Sequence, residues 1–104
     1  MSIILYVLKG CPYCDNALML LKQNNIKYKA ILVEGKDIEK YKKINKMNTY
    51  PQIFINIDAN NYFKIGGNDD LVETMEIVKT IMNSNVSLDA VYYLHKLMNK
   101  KSKK

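Results

Sequence analysis

Residues 8–18 read LKGCPYCDNAL and hold both cysteines of the chain, Cys11 and Cys14. Before them, Ser2 to Leu8 (SIILYVL) is apolar and rich in β-branched residues, the composition of a buried strand. After Pro12 the period changes. Cys14, Ala17, Leu18 and Leu21 recur at helical spacing, and Gln23-Asn24-Asn25 ends the run. Tyr28 to Val33 (YKAILV) reads as a second strand. Strand, helix and strand in succession predict a right-handed βαβ unit with parallel strands.

The rest of the chain extends that unit. Lys36 to Met47 reads as a polar, lysine-rich helix with Ile38, Tyr41 and Ile44 on its inner face. Gln52 to Ile57 (QIFINI) and Tyr62 to Ile65 read as strands. Asp58-Ala59-Asn60-Asn61 supplies the turn of a hairpin between them. Gly66-Gly67 breaks the chain. Asn68 is then a candidate cap for a helix whose first turn holds Asp69 and Asp70, where the dipole favours anions. Leu71, Met75, Val78 and Met82 form its buried stripe. A last helix is expected from Ser87, with Leu88, Val91, Tyr92, His95 and Met98 on one side. The expected division is residues 1–84 as one domain and 85–104 as an added C-terminal helix and lysine-rich tail.

The chain has 104 residues and a net charge of +6, and all its basic residues are lysines. Four of these fall in the last five residues, so the body of the domain is less basic than the total suggests. A solvated lysine surface accounts for the charge, and no aromatic or motif context points to nucleic acid. No run approaches the ~18 apolar residues that span a membrane. The apolar start is too short for a secretory h-region, and two cysteines make no disulfide framework. The expected compartment is the reducing cytoplasm, and the expected state a monomer.

In the predicted order of elements Cys11 ends the loop after the first strand, and Cys14 lies one turn inside the helix. Pro12 occupies the first helical position, where its missing N–H costs nothing. The Cys11 sulfur would face free backbone N–H groups and the positive end of the helix. C-x-x-C motifs so placed can lower a thiol pKa from about 8.5 to roughly 3.5–7.5. Cys14 faces inward, within reach to resolve a mixed disulfide on Cys11. Three other readings compete. Zinc needs about four ligands, and only His95 remains as a conventional partner. A purely structural thiol pair conflicts with the exposure that Pro12 and the helix start give Cys11. An iron–sulfur cluster bridging two chains is opposed by the stiffness of the Pro12 loop. No metal is expected.

Three segments now carry a resemblance. CPYC after a first strand resembles the active site of dithiol glutaredoxins. Thr49 to Ile55 (TYPQIFI) resembles that family's TVPQ[VI]FI, and Gly66 to Leu71 (GGNDDL) its GGxDDL. The resemblance implies a thioredoxin fold: a four-stranded mixed sheet flanked by helices. It implies a glutathione-dependent thiol–disulfide oxidoreductase, with Cys11 as nucleophile and Cys14 as resolving thiol. Its substrates would be glutathionylated or disulfide-containing proteins, ribonucleotide reductase among the candidates, and glutathione would be the co-substrate.

The same resemblance implies a cis bond before Pro51, which turns the Tyr50 backbone toward Cys11 to pair with glutathione, with Thr49 beside it. Gly67 and Asn68 would present backbone to the γ-glutamyl carboxylate and Asp69 would meet the α-amino group, while Asp70 is structural. Tyr13 would line the groove over the sulfur. The chain also departs from the family's pattern. Leu8 replaces the usual basic residue, leaving Lys9 to reach the thiolate or a glutathione carboxylate. Asp15 and Asn16 follow the motif where basic residues are common. Met47 stands at a basic position, with Lys43 or Lys46 as substitutes. The Tyr50 ring replaces valine near the groove, and the hairpin is longer. Two alternatives stay open: a thioredoxin-like electron donor, and a thioredoxin-fold binding module acting through the C-terminal helix.

Overall fold

In a computed structural model, the structure describes residues 2–58 and 61–83. The elements follow in the order β1 (Ser2–Val7), α1 (Pro12–Gln23), β2 (Tyr28–Leu32), α2 (Asp37–Asn45), β3 (Gln52–Asp58), β4 (Asn61–Gly66) and α3 (Asn68–Asn83). The four strands form one mixed sheet in the order β2-β1-β3-β4. β1 and β2 run parallel, as the βαβ reading requires, and β3 is antiparallel to both β1 and β4. This is the thioredoxin fold. The expected last helix and the boundary at residues 84 and 85 lie outside the described residues.

The core follows from the period-two alternation of β1. Ile3, Leu5 and Val7 are buried on one face, together with Cys14, Ala17 and Leu21 of α1 and Leu71, Met75, Val78 and Ile81 of α3. Fully burying a leucine such as Leu21 contributes roughly 2 kcal/mol. The other face of β1 turns Tyr6 toward α2. Its ring lies 4.7 Å from that of Tyr41 and meets Phe54 edge-on at 6.0 Å. α1 and α3 therefore cover one face, and α2 the other.

The structure corrects two boundaries. α2 was expected over Lys36–Met47 but spans Asp37–Asn45, because Lys46 turns left-handed at φ 53°. The N–H of Met47 then bonds the Lys42 carbonyl at 3.0 Å and closes the helix end. Of its expected inner face, Ile38 and Tyr41 pack partly against the core, whereas Ile44 is 59% exposed. In the hairpin, Asp58 and Asn61 were expected in the turn but pair with each other as strand residues. The added length there extends the ladder, with register shifts between Ile53 and Phe54 and between Asn56 and Asp58.

Candidate active site

The sheet register brings the two key loops together. Tyr6 of β1 opposes Gln52 of β3, so the residues leaving β1 meet those entering β3. Cys11 is the N-cap of α1, in extended conformation with φ −93° and ψ 110°, and Pro12 follows at the helix start. The Cys14 N–H donates to the Cys11 sulfur at 3.2 Å. That sulfur lies 3.9 Å from the carbonyl oxygen of Tyr50. It also sits at the positive end of the helix, where negative charge developing on it is favoured. The Tyr50–Pro51 bond is cis, as the resemblance implied.

The two thiols differ in access. Cys11 is partly exposed, whereas Cys14 is 1% exposed. Both are free. Burial, then the side-chain hydrogen bond with Cys11, pushes the Cys14 thiol up to about 12. Cys14 is thus a protonated thiol at neutral pH, one turn behind a more accessible sulfur.

A cleft of about 270 Å³ lies beside this pair, lined by Tyr13, Met47, Thr49, Tyr50, Gly67, Asn68, Asp69 and Asp70. Six of the ten residues singled out from the sequence line it: Tyr13, Thr49, Tyr50, Gly67, Asn68 and Asp69. Tyr13 is 64% exposed, and Asp69 is exposed as well. Pro51 is buried behind the wall, and its carbonyl approaches Gly67. Lys9 is exposed and is not among the lining residues. Among the described residues no group of three His, Cys, Asp or Glu side chains is placed to hold a metal ion. His95 lies outside the described residues.

The helix facing α1 is capped differently from expectation. The Leu71 N–H bonds the Gly67 carbonyl at 3.1 Å, so Gly67 is the N-cap of α3, not Asn68. The Asp70 carboxylate accepts from the Gly67 N–H at 2.8 Å, the back-reaching half of a capping box. Gly66 makes room for it: φ is +124°, and a Cβ there would meet the Asp70 side chain, with Cγ at 2.6 Å. Asn68 instead accepts from the Asn16 amide at 3.0 Å, tying α3 to α1.

Three contributions escaped the sequence reading. The Tyr50 ring does not project into the groove. It is 8% exposed, and its hydroxyl donates to the Ile38 carbonyl at 2.7 Å. Gln52, fully buried, accepts from Asn45 at 2.8 Å and steadies the same segment. Met47 lines the cleft where the resemblance led one to look for a base. A capping-box reading of Gly67 to Asp70 would have found the Asp70 bond. Nothing local signals where Tyr50 and Gln52 point.

The glutaredoxin family profile matches residues 3–58. Glutaredoxin 1 of Rickettsia bellii is 38% identical over 78 residues, covering 69% of this chain and 74% of its own length. Among solved structures, the solution structure of a Brucella melitensis glutaredoxin superposes with a TM-score of 0.64 at 25% identity, covering 84% of this chain and 94% of that one. A buckwheat glutaredoxin–glutathione complex shares the fold, with a TM-score of 0.60 at 20% identity over 92% of this chain and 78% of that one. The profile match, the Rickettsia relative and a partly exposed thiol capping a helix beside a cis-proline turn agree: the chain belongs to the glutaredoxin family of thiol–disulfide oxidoreductases.

Proposed function

We propose that the protein reduces glutathione mixed disulfides, and protein disulfides, with glutathione as its electron source. The observation that carries this reading is the cleft that runs from Tyr13 past Tyr50 to the N-terminus of α3, beside the Cys11 sulfur. The cleft of about 270 Å³ carries Thr49, Asn68 and Asp69 as polar side chains along its length. The Tyr50 backbone, next to Thr49 and Pro51, offers strand-like pairing to the cysteine of glutathione. The backbone N–H groups of Asn68 and Asp69, at the start of α3, suit the γ-glutamyl carboxylate. Asp69 suits the α-amino group. The glycine carboxylate falls to a lysine near the end of α2, and Lys46 adjoins the lining residue Met47.

The Cys11 thiolate attacks the glutathione sulfur of the mixed disulfide. That S–S bond breaks, the substrate thiolate leaves and takes a proton, and Cys11 holds glutathione as a new disulfide. A second glutathione thiolate attacks the glutathione sulfur of that bond. Oxidised glutathione leaves, and Cys11 returns as a thiolate. For protein disulfides, the Cys11 thiolate first attacks one sulfur and forms a mixed disulfide as the first substrate thiolate leaves. Cys14 then gives up its proton and attacks the Cys11 sulfur, and the second substrate thiol leaves. Two glutathione molecules reduce the internal disulfide to give oxidised glutathione. Glutathione reductase with NADPH would recycle the glutathione. A chain with two cysteines, both in one C-x-x-C, suits a monomer in a reducing cytoplasm. There ribonucleotide reductase is a candidate disulfide substrate.

The test is turnover of a glutathionylated peptide with glutathione, glutathione reductase and NADPH. The wild type and Cys14→Ser should turn over, and Cys11→Ser should not. Cys14→Ser should lose reduction of protein disulfides. Turnover with thioredoxin reductase but not with glutathione would replace glutathione as the electron source.

A further inference from the structure

The wall of the cleft opposite α3 follows a helix that packs on the sheet only through partly buried side chains, Ile38 and Tyr41. α2 buries none of its residues, yet the segment after it carries Met47, Thr49 and Tyr50 into the cleft. Side-chain hydrogen bonds hold that segment. Asn45 donates to Gln52 at 2.8 Å, and Gln52 donates to the Met47 carbonyl at 3.4 Å. Both stay at the C-terminal end of α2. The Tyr50 hydroxyl reaches the other end, donating at 2.7 Å to the carbonyl of Ile38 in the first turn. Tyr50 therefore has two ends: its own carbonyl lies 3.9 Å from the Cys11 sulfur, and its hydroxyl grips α2.

We propose that Tyr50 is a positioning residue whose hydroxyl ties α2 to the cis-proline turn and so sets the spacing of the cleft walls. The inference rests on the glutathione reading above and assigns the side chain a task that the backbone contact alone does not require. A hydroxyl that fixes the walls acts on how well the glutathionyl group is held, not on sulfur exchange at Cys11. The bond is also separable from the fold. Phenylalanine keeps the buried ring, and the Ile38 carbonyl keeps its acceptor role inside the helix, so no buried group is stranded.

The experiment is Tyr50→Phe, measured two ways. With the glutathionylated peptide, KM should rise roughly fivefold while kcat stays within about twofold, the pattern of lost binding rather than lost chemistry. Amide hydrogen exchange should quicken roughly fivefold across residues 39–45 while α1 stays unchanged. Unchanged KM with unchanged exchange in α2 overturns the proposal, as does a fall in kcat alone. A uniform rise in exchange over every helix also overturns it, because that is general destabilisation. If the wild type does not use glutathione at all, the functional reading fails separately. Exchange then judges the tie: selective loss in α2 supports it, and no selective loss overturns it.

Discussion

Two helices present their N-termini to the same cleft, and they are capped in opposite ways. α1 is capped by the sulfur of Cys11, which accepts from the Cys14 N–H. α3 is capped by the Asp70 carboxylate, which accepts from the Gly67 N–H. At α1 the capping atom is also the nucleophile of the proposed cycle, in which the cap would change bonding partner at every turnover. At α3 the cap is an inert carboxylate, and Asn68 and Asp69 of the same first turn line the cleft. In the proposed function the α1 end serves catalysis because its cap is a nucleophile, and the α3 end serves binding because its cap is inert. The Asn16–Asn68 hydrogen bond holds the two ends in register.

The sharpest way to break the contrast is to make the α1 cap inert. Serine is a good N-cap, so Cys11→Ser should keep the fold while thiol–disulfide exchange falls at least about a thousandfold. A melting curve within a few degrees of wild type, recorded beside the turnover assay, checks both halves.

The alkaline limb comes next. Burial, then the hydrogen bond with Cys11, raises Cys14 from 9.0 to about 12. Between those values the unfolded chain has lost a proton that the folded chain still holds. That stabilisation is complete below pH 9 and is lost as pH rises through about 12. Tyr6 and Tyr50, raised chiefly by burial, act in the same sense, but only above 10.0. Urea midpoints between pH 8 and 10 should therefore fall more steeply in wild type than in Cys14→Ala.

At α3, Gly66→Ala puts a side chain at a left-handed φ and displaces the Asp70 carboxylate from the Gly67 N–H. The expected cost is about 2 kcal/mol in urea unfolding. Activity in the folded fraction should be retained and KM raised, since only the binding end is disturbed. Asn16→Ala should cost least, about 0.5 kcal/mol, because its hydrogen bond to Asn68 is exposed. Faster amide exchange confined to residues 68–71 would show the two ends uncoupling.

The sequence by itself determined the order of the described elements, the start of α1 and which of the two thiols is the more accessible. These rest on local physics: the apolar, β-branched run SIILYVL, helical spacing after Pro12, and a proline that begins helices readily. It also marked both walls of the cleft, because Thr49 to Ile55 and Gly66 to Leu71 carry a family resemblance. Only the tertiary structure decided which donor meets which acceptor. Asn68 and Asp70 are both able to cap a helix. The close approach of Asn16, and the space that Gly66 leaves, assign the cap to Asp70. Tyr50 is free, by its composition, to face the groove or the helix. The pairing of Tyr6 with Gln52 sets the turn against Cys11, and the Ile38 carbonyl then draws the ring inward. Such choices depend on partners distant in the chain, which come within reach only when the sheet register is set.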